Sequence, residues 1–355
     1  MTLEDLGYNE IVEQYRRTNQ FEPFIIGRII AEHKERYIVK NQEGEYDAEI
    51  TGHLRFTAQN RSDYPAVGDW VAFTVHDENK GLIHALFPRQ SMIERAAVGK
   101  FGEKQIIGTN IEYAFIVQAV DRDYNLNRIE RYLTISHASG VKPIILLTKI
   151  DLIRDDELAQ IISTINKRLP DIKVIALSNE TNVGLDQLQQ NIEKGKTYCL
   201  LGSSGVGKST VINNLLGVKA MRTDAISLVS DRGKHVTTHR ELHVLKNGGI
   251  MIDNPGMREV GIADAGSGIE LTFETIHELA QACKYKNCTH TNEPGCAVVA
   301  GLENGSIEQA AYENYLKMGR EKEHFEMSLM DKRKKDKAMG KMMKNYKKNN
   351  FFKQK

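Results

Sequence analysis

The chain has 355 residues, of which 41% are hydrophobic and 27% charged, with a formal net charge of +1. This is the composition of a soluble globular protein long enough for two or three packed domains. No run approaches the roughly 20 apolar residues that span a bilayer, and the opening MTLEDLGYNE has neither the basic nor the apolar part of a secretory signal, so a cytoplasmic address without a membrane partner is expected.

Residues 1–23 form an N-terminal extension. From Phe24 the chain alternates apolar and polar positions in short runs, FIIGRIIAEH, RYIVKNQ, EYDAEIT, GDWVAFTVHD and GLIHALFP, broken by the turn signals NQEG and YPAVGD. Five strands in this span predict a small all-β barrel over residues 24–98. An OB-fold suits them, although an SH3-like barrel shows the same alternation. Trp70, Phe73 and Tyr37 read as packing residues.

From Ile111 the texture becomes α/β. EYAFIVQAV and KPIILLTKI are continuous apolar runs of the kind buried in a parallel sheet, separated by the helical pattern NLNRIERYLTISHASG. A helix DDELAQIISTINKRL, a strand KVIALS, a helix GLDQLQQNIEK and a strand TYCLL follow. The alternation predicts a doubly wound sheet, and residues 99–262 are expected to form one nucleotide-binding domain.

TYCLL leads into GSSGVGKS, a complete G-x-x-x-x-G-K-[ST] loop followed by the helical STVINNLLG. Gly202, Gly205 and Gly207 let the backbone amides of the loop, through Ser203, Ser204, Val206 and on to Thr210, approach phosphates. Lys208 reaches the terminal phosphate oxygens and Ser209 can ligate Mg²⁺. The loop alone does not distinguish GTP from ATP. The base is read from Thr148, Lys149, Ile150 and Asp151, a strand-end T-K-x-D whose carboxylate accepts from both guanine donors, N1–H and the exocyclic amine. An unpaired buried carboxylate rejects adenine. Asn is usual where Thr148 stands, which bears on how the glycine loop is braced but not on the Asp151 contact. Ser178 and Asn179, after the next strand, are placed to offer a backbone amide to guanine O6.

Downstream, IMIDNPGMRE ends a strand in D-x-x-G. Asp253 there holds Mg²⁺ through water and the Gly256 amide senses the γ-phosphate. SDRGKHVTTHREL supplies Thr237 and Thr238, either of which could close over the metal; Thr238 is the expected ligand. CKYKNCTHTNEPGC contains Cys283, Cys288, His290 and Cys296, a full set of soft ligands for one structural, tetrahedral Zn²⁺. Cys199, in an apolar strand, reads as core, and His243 and His277 as surface or packing residues.

In its order of base reader, glycine loop, Thr switch and D-x-x-G, the chain resembles the circularly permuted GTPases, and specifically the small-subunit-dependent RsgA (YjeQ) family, over roughly residues 24–320. The resemblance implies an N-terminal OB-fold barrel, a circularly permuted P-loop GTPase domain and a C-terminal helical zinc-binding domain (263–325). It also implies a GTP hydrolase that acts in late assembly of the small (30S) ribosomal subunit, with GTP/GDP, Mg²⁺ and one Zn²⁺, and with the subunit's rRNA as partner. A monomer is expected, and no DNA partner. Departures are Thr148, Val236 within what is usually a run of Thr, and a long basic tail (326–355).

Permutation is feasible because the last helix of a doubly wound sheet packs near the first strand, so the turn KGK joins the old ends. Met257 follows Gly256 where many GTPases carry Gln, and a thioether cannot orient water. Slow intrinsic turnover with stimulation by a partner is therefore expected, and His235 is the local candidate to act on the water; an exposed loop His is the competing reading. Lys208, Ser209 and Thr238 are expected to stabilise transition-state charge. A non-hydrolytic alternative, a GTP-dependent RNA-binding chaperone, follows from the same missing Gln. The Lys-dense tail reads either as a solvated extension or as an arm for polyanions.

Overall fold

The computed structural model describes residues 1–33, 36–96, 104–217, 240–253 and 266–327, together with 331 and 334. A 3₁₀ turn (Glu4–Leu6) and helix α1 (Glu10–Thr18) precede strands β1 (Ile25–His33), β2 (Arg36–Lys40) and β3 (Glu45–Ile50), helix α2 (Gly52–Thr57), and strands β4 (Trp70–Asp77) and β5 (Lys80–Leu86). β1 pairs antiparallel with β2 and β4, β2 with β3 and β4 with β5, while β3 runs parallel to β5. The circuit β1-β2-β3-β5-β4-β1 is thus closed, the five-stranded OB-type arrangement. Its core is Ile29, Tyr37, Val39, Ala48, Val71, Phe73 and Ile83. Trp70 lies outside that core, packed with Leu6, Val12 and Phe87 where the N-terminal segment covers the barrel.

A separate hairpin, β6 (Met92–Ala96) and β7 (Lys104–Thr109), leads out of the barrel. The α/β part then runs β8 (Tyr113–Ala119), α3 (Leu126–Ala138), β9 (Lys142–Thr148), α4 (Asp155–Arg168), β10 (Val174–Ala176), α5 (Leu185–Gln190), β11 (Thr197–Leu201), α6 (Lys208–Leu216), β12 (Glu241–Val244) and β13 (Ile250–Asp253). Strands β10-β9-β8-β11-β13 are all parallel. Alternate residues of each strand face opposite layers, as the pleat requires. Ile116, Ile145 and Leu201 pack with Ile129, Leu133 and Ile165 of α3 and α4, whereas Val117, Leu146 and Leu200 pack with Leu188, Val211 and Ile212 of α5 and α6. Burial on both faces explains the uninterrupted apolar runs.

β12 is antiparallel to β13 and, through Ala31↔Glu241, also pairs with β1. Barrel and nucleotide sheet are therefore one continuous sheet of eleven strands. At their junction Arg28 is buried and donates to four neutral acceptors, Gly68 O (3.0 Å), Leu6 O (2.6 Å), Thr197 Oγ1 (3.0 Å) and Asn110 O (3.1 Å). Burial lowers its pKa to about 10, so the guanidinium remains charged at neutral pH. The permutation seam, Lys194–Lys196, enters β11 through Gly195 in a left-handed conformation (φ +73°), and Lys194 pairs with Asp5 of the N-terminal segment at 2.9 Å.

Helices α7 (Gly266–Thr272), α8 (Glu274–Gln281) and α9 (Ala297–Glu303), with helical backbone over 309–327, complete the fold. This unit docks on α3. A Cβ on Gly268 would stand 2.1 Å from Thr134 O, so only glycine allows the approach of α7. Arg131 grips Glu321 with two 2.7 Å bonds, and buried Glu130 joins Arg168 of α4 to Asn314. A cavity of about 400 Å³ between Leu133, His137, Phe273, Ile276 and Ile307 lies in this seam and takes in none of the glycine-loop or T-K-x-D residues.

Candidate nucleotide site and cysteine-histidine cluster

The carboxyl ends of β9, β10, β11 and β13 share one edge of the parallel sheet, so the segments that follow β9, β10 and β11 meet there beside Asp253. After β11 the glycine loop turns through Gly205 (φ +81°) and Gly207 (φ +95°) into α6. Lys208 is half-buried and donates to Gly202 O (2.8 Å) and Ser203 O (2.5 Å). Burial pulls its pKa down to about 8, against the opposing charge of Asp253, which is buried at the end of β13. Ser209 occupies the first turn of the same helix.

Thr148 is fully buried, and its hydroxyl donates to Val206 O at 2.6 Å. The brace that Asn usually supplies is thus present with a shorter side chain. Lys149 takes a left-handed backbone (φ +61°, ψ +34°) that swings the chain into a 3₁₀ turn at Ile150–Leu152. Ser178 Oγ donates to Asp151 Oδ1 and itself accepts from the amides of Glu180 (3.2 Å) and Thr181 (3.1 Å). The Ser178 amide already donates to Val183 O (2.9 Å). Asn179 Oδ1 accepts from Asn214 of α6 (3.1 Å), and its Nδ2 stands 3.0 Å from where a Cβ on Gly207 would lie.

Sequence reading missed Asp121, just past β8. Its Oδ2 accepts from Lys149 Nζ at 2.8 Å and its Oδ1 from the Asp123 amide at 3.0 Å. Burial opposes ionisation, but these two donors hold the carboxyl below its ordinary range. The signal available was the acidic D-R-D that closes an apolar run beside the T-K-x-D strand. His235, Thr237, Thr238 and Gly256, like Met257 and Val236, lie outside the described residues.

Cys283, Cys288, His290 and Cys296 bring their ligand atoms within 4.8 Å of one another. The separations Cys283 Sγ–Cys296 Sγ 3.8 Å, Cys283 Sγ–His290 Nδ1 3.5 Å and Cys296 Sγ–His290 Nδ1 3.6 Å match the edges of a tetrahedron, about 3.8 Å for bonds of about 2.3 Å. The donor set and spacing therefore fit zinc. Cys296 caps α9, its sulfur accepting from the Val299 amide at 3.4 Å, which fixes it at the start of that helix. Tyr312 donates to His290 O at 2.6 Å, and Glu293 gathers the amides of Thr289 (2.8 Å) and Thr291 (3.1 Å), so the knuckle is preformed.

A family model described as RsgA GTPase matches residues 86–263. A relative from Lactiplantibacillus plantarum named small ribosomal subunit biogenesis GTPase RsgA 2 is 43% identical over 84% of this chain and 83% of its own length. The chain belongs to the RsgA GTPase family. A second RsgA, from Bacteroides thetaiotaomicron, is 36% identical over 96% of both chains. As an RsgA GTPase the chain is a GTP-hydrolysing enzyme with a circularly permuted fold. The crystal structure of YjeQ from Thermotoga maritima superposes with a TM-score of 0.62 (23% identity; 86% of this chain, 98% of that one), and that of YloQ, titled a circularly permuted GTPase, with 0.61 (24%; 85% and 96%). An ABC transporter model also matches residues 185–351. That span contains the glycine loop but not Thr148–Asp151 or strands β8–β10 of the parallel sheet. Among the described residues no helix is long and apolar enough to cross a membrane.

Proposed function

We propose that this chain hydrolyses GTP to GDP and phosphate while bound to the maturing small ribosomal subunit, in the cytoplasm and as a monomer, and that hydrolysis times its release. The observation that carries the nucleotide part is the Thr148–Val206 hydrogen bond, which ties the T-K-x-D strand end to the glycine loop. The ribosomal part is supported by the names of relatives that match over most of both chains.

In this reading the amides of residues 202–207 and the Lys208 ammonium hold the phosphates. Asp151, oriented by Ser178, accepts both guanine donors. Since the Ser178 amide is committed to Val183, Asn179 is the residue that offers its amide to O6. Ser209, Asp253 and a switch threonine, Thr238 or Thr237, would hold Mg²⁺, which when bound neutralises phosphate charge. His235 acts on the attacking water, and Gly256 senses the γ-phosphate. The Cys3His set holds one structural Zn²⁺, and the barrel, the zinc unit and the basic tail after residue 326 contact rRNA. We assign residues 24–98 to the barrel, 99–262 to the GTPase domain and 263–325 to the zinc unit, after an extension over 1–23.

Single-turnover GTP hydrolysis with and without purified small subunits tests the proposal. Subunits should raise the rate by orders of magnitude and GTP exhaustion should release the protein. A rate indifferent to subunits would remove the ribosomal role while leaving the GTPase.

A further inference from the structure

We infer that Asp121 is a positioning residue of the guanine-nucleotide site, acting through Lys149; the inference rests on Thr148–Asp151 being the base reader. β8 and β9 pair in parallel up to Ala119↔Thr148, and the Val120 amide then donates to Thr148 O at 3.1 Å. The backbone of Asp121 is thereby fixed beside Lys149. Its two carboxylate oxygens have separate tasks. One closes the turn on Asp123, and the other takes the Lys149 ammonium at 2.8 Å. Both side chains are only about a quarter exposed, 25% and 23%, so solvent screens the pair less than a surface one.

The contact matters because of where Lys149 sits. A left-handed backbone is disfavoured for a residue with a side chain, and here it turns the chain between two anchored neighbours, Thr148 on the glycine loop and Asp151 on Ser178. Asp121 supplies the third anchor, in the middle. A lysine left to itself samples many rotamers, and ordering it on nucleotide binding costs affinity. With Asp121 in place that ordering is complete beforehand. The residue therefore governs affinity for the nucleotide and leaves the chemical step alone.

The test is a double-mutant cycle on the full chain, read by titration of a fluorescent GDP and by steady-state GTP hydrolysis. Asp121→Asn keeps an acceptor for the Asp123 amide and removes the charge, so the turn and the melting temperature should survive. It should weaken GDP about fivefold and raise KM for GTP by the same factor, with kcat retained. Lys149→Ala should show a loss at least as large, and Asp121→Asn added to it should change nothing further. An equal loss on both backgrounds would make Asp121 an independent turn residue and overturn the inference, as would wild-type affinity in Asp121→Asn or a fall in kcat at unchanged KM. Failure of the wild-type protein to bind GDP would instead strike the reading of the site itself.

Discussion

Replacing Thr148 by Val keeps the branched shape and deletes one hydroxyl, so it isolates the brace between the proposed base reader and the glycine loop. In the wild type this hydroxyl is buried and lies 2.6 Å from Val206 O. The variant takes that donor away from a carbonyl enclosed by the loop, at a cost of about 1–3 kcal/mol for an unsatisfied buried group. Some of this is recovered as the loop relaxes toward solvent through its exposed Ser204 and Gly205, so we take about 1.4 kcal/mol, or tenfold in Kd. Equilibrium titration with fluorescent GDP should show that factor for Thr148→Val. Thr148→Ser, which retains the hydroxyl, should stay within about twofold of wild type. Wild-type affinity in the Val variant, or an equal loss in the Ser variant, would refute the argument, since then either the bond is inert or the methyl group carries the effect.

Lys208, with its pKa drawn to about 8 by burial, makes nucleotide affinity depend on pH. Phosphate favours the ammonium, so above pH 8 binding must take up a proton and Kd should rise by up to tenfold per pH unit, while below about pH 7 it should be flat; calorimetry in buffers of different ionisation enthalpy would register the proton. Cys288→Ser removes one of four ligands of the Cys3His cluster, and we expect loss of stoichiometric zinc by metal analysis with GDP binding intact, because the nucleotide residues lie on another unit; loss of GDP binding at the same time would contradict that separation. Gly268→Ala forces a methyl group into Thr134 O, predicted at 2.1 Å before relaxation, and should destabilise the docking of α7 on α3 by about 1–3 kcal/mol, seen as early proteolysis after residue 266 in limited digestion.

The glycine loop, the T-K-x-D strand end and the cysteine cluster were legible as local structure because each is written in a short stretch with fixed spacing. The features that escaped depend on contacts between distant segments. Nothing in FIIGRIIAEH says that Arg28 points into a junction; alternation suggests that a charged residue in a barrel strand faces water, and the N-terminal segment that covers it is seen only in three dimensions. Asp121 drew no reading from sequence, because its contact with Lys149 exists only once β8 and β9 are paired in register. Gly268 and Glu130 lie in segments read only as a domain start and a helix, yet they set how the last unit sits. The barrel type was open to alternation alone because strand period does not encode strand order; the parallel β3–β5 pairing decides it.

The strand order has a consequence for how the chain is made. The barrel pairs only residues up to Leu86 within itself and can close as soon as they leave the synthesising ribosome, in keeping with N-terminal units folding first. The parallel sheet cannot follow suit. Its β8, β9 and β10 emerge first, together with the T-K-x-D strand end, but β11 must dock beside β8 and await β13, so an inner strand of the sheet is synthesised after one flank and before the other. The Ala31–Glu241 pairing that joins the two parts is left until almost the whole nucleotide sheet exists. In an unpermuted order the phosphate loop comes first and the T-K-x-D strand last; here the nascent chain presents Thr148–Asp151 before the glycine loop, and Asp253 only after both.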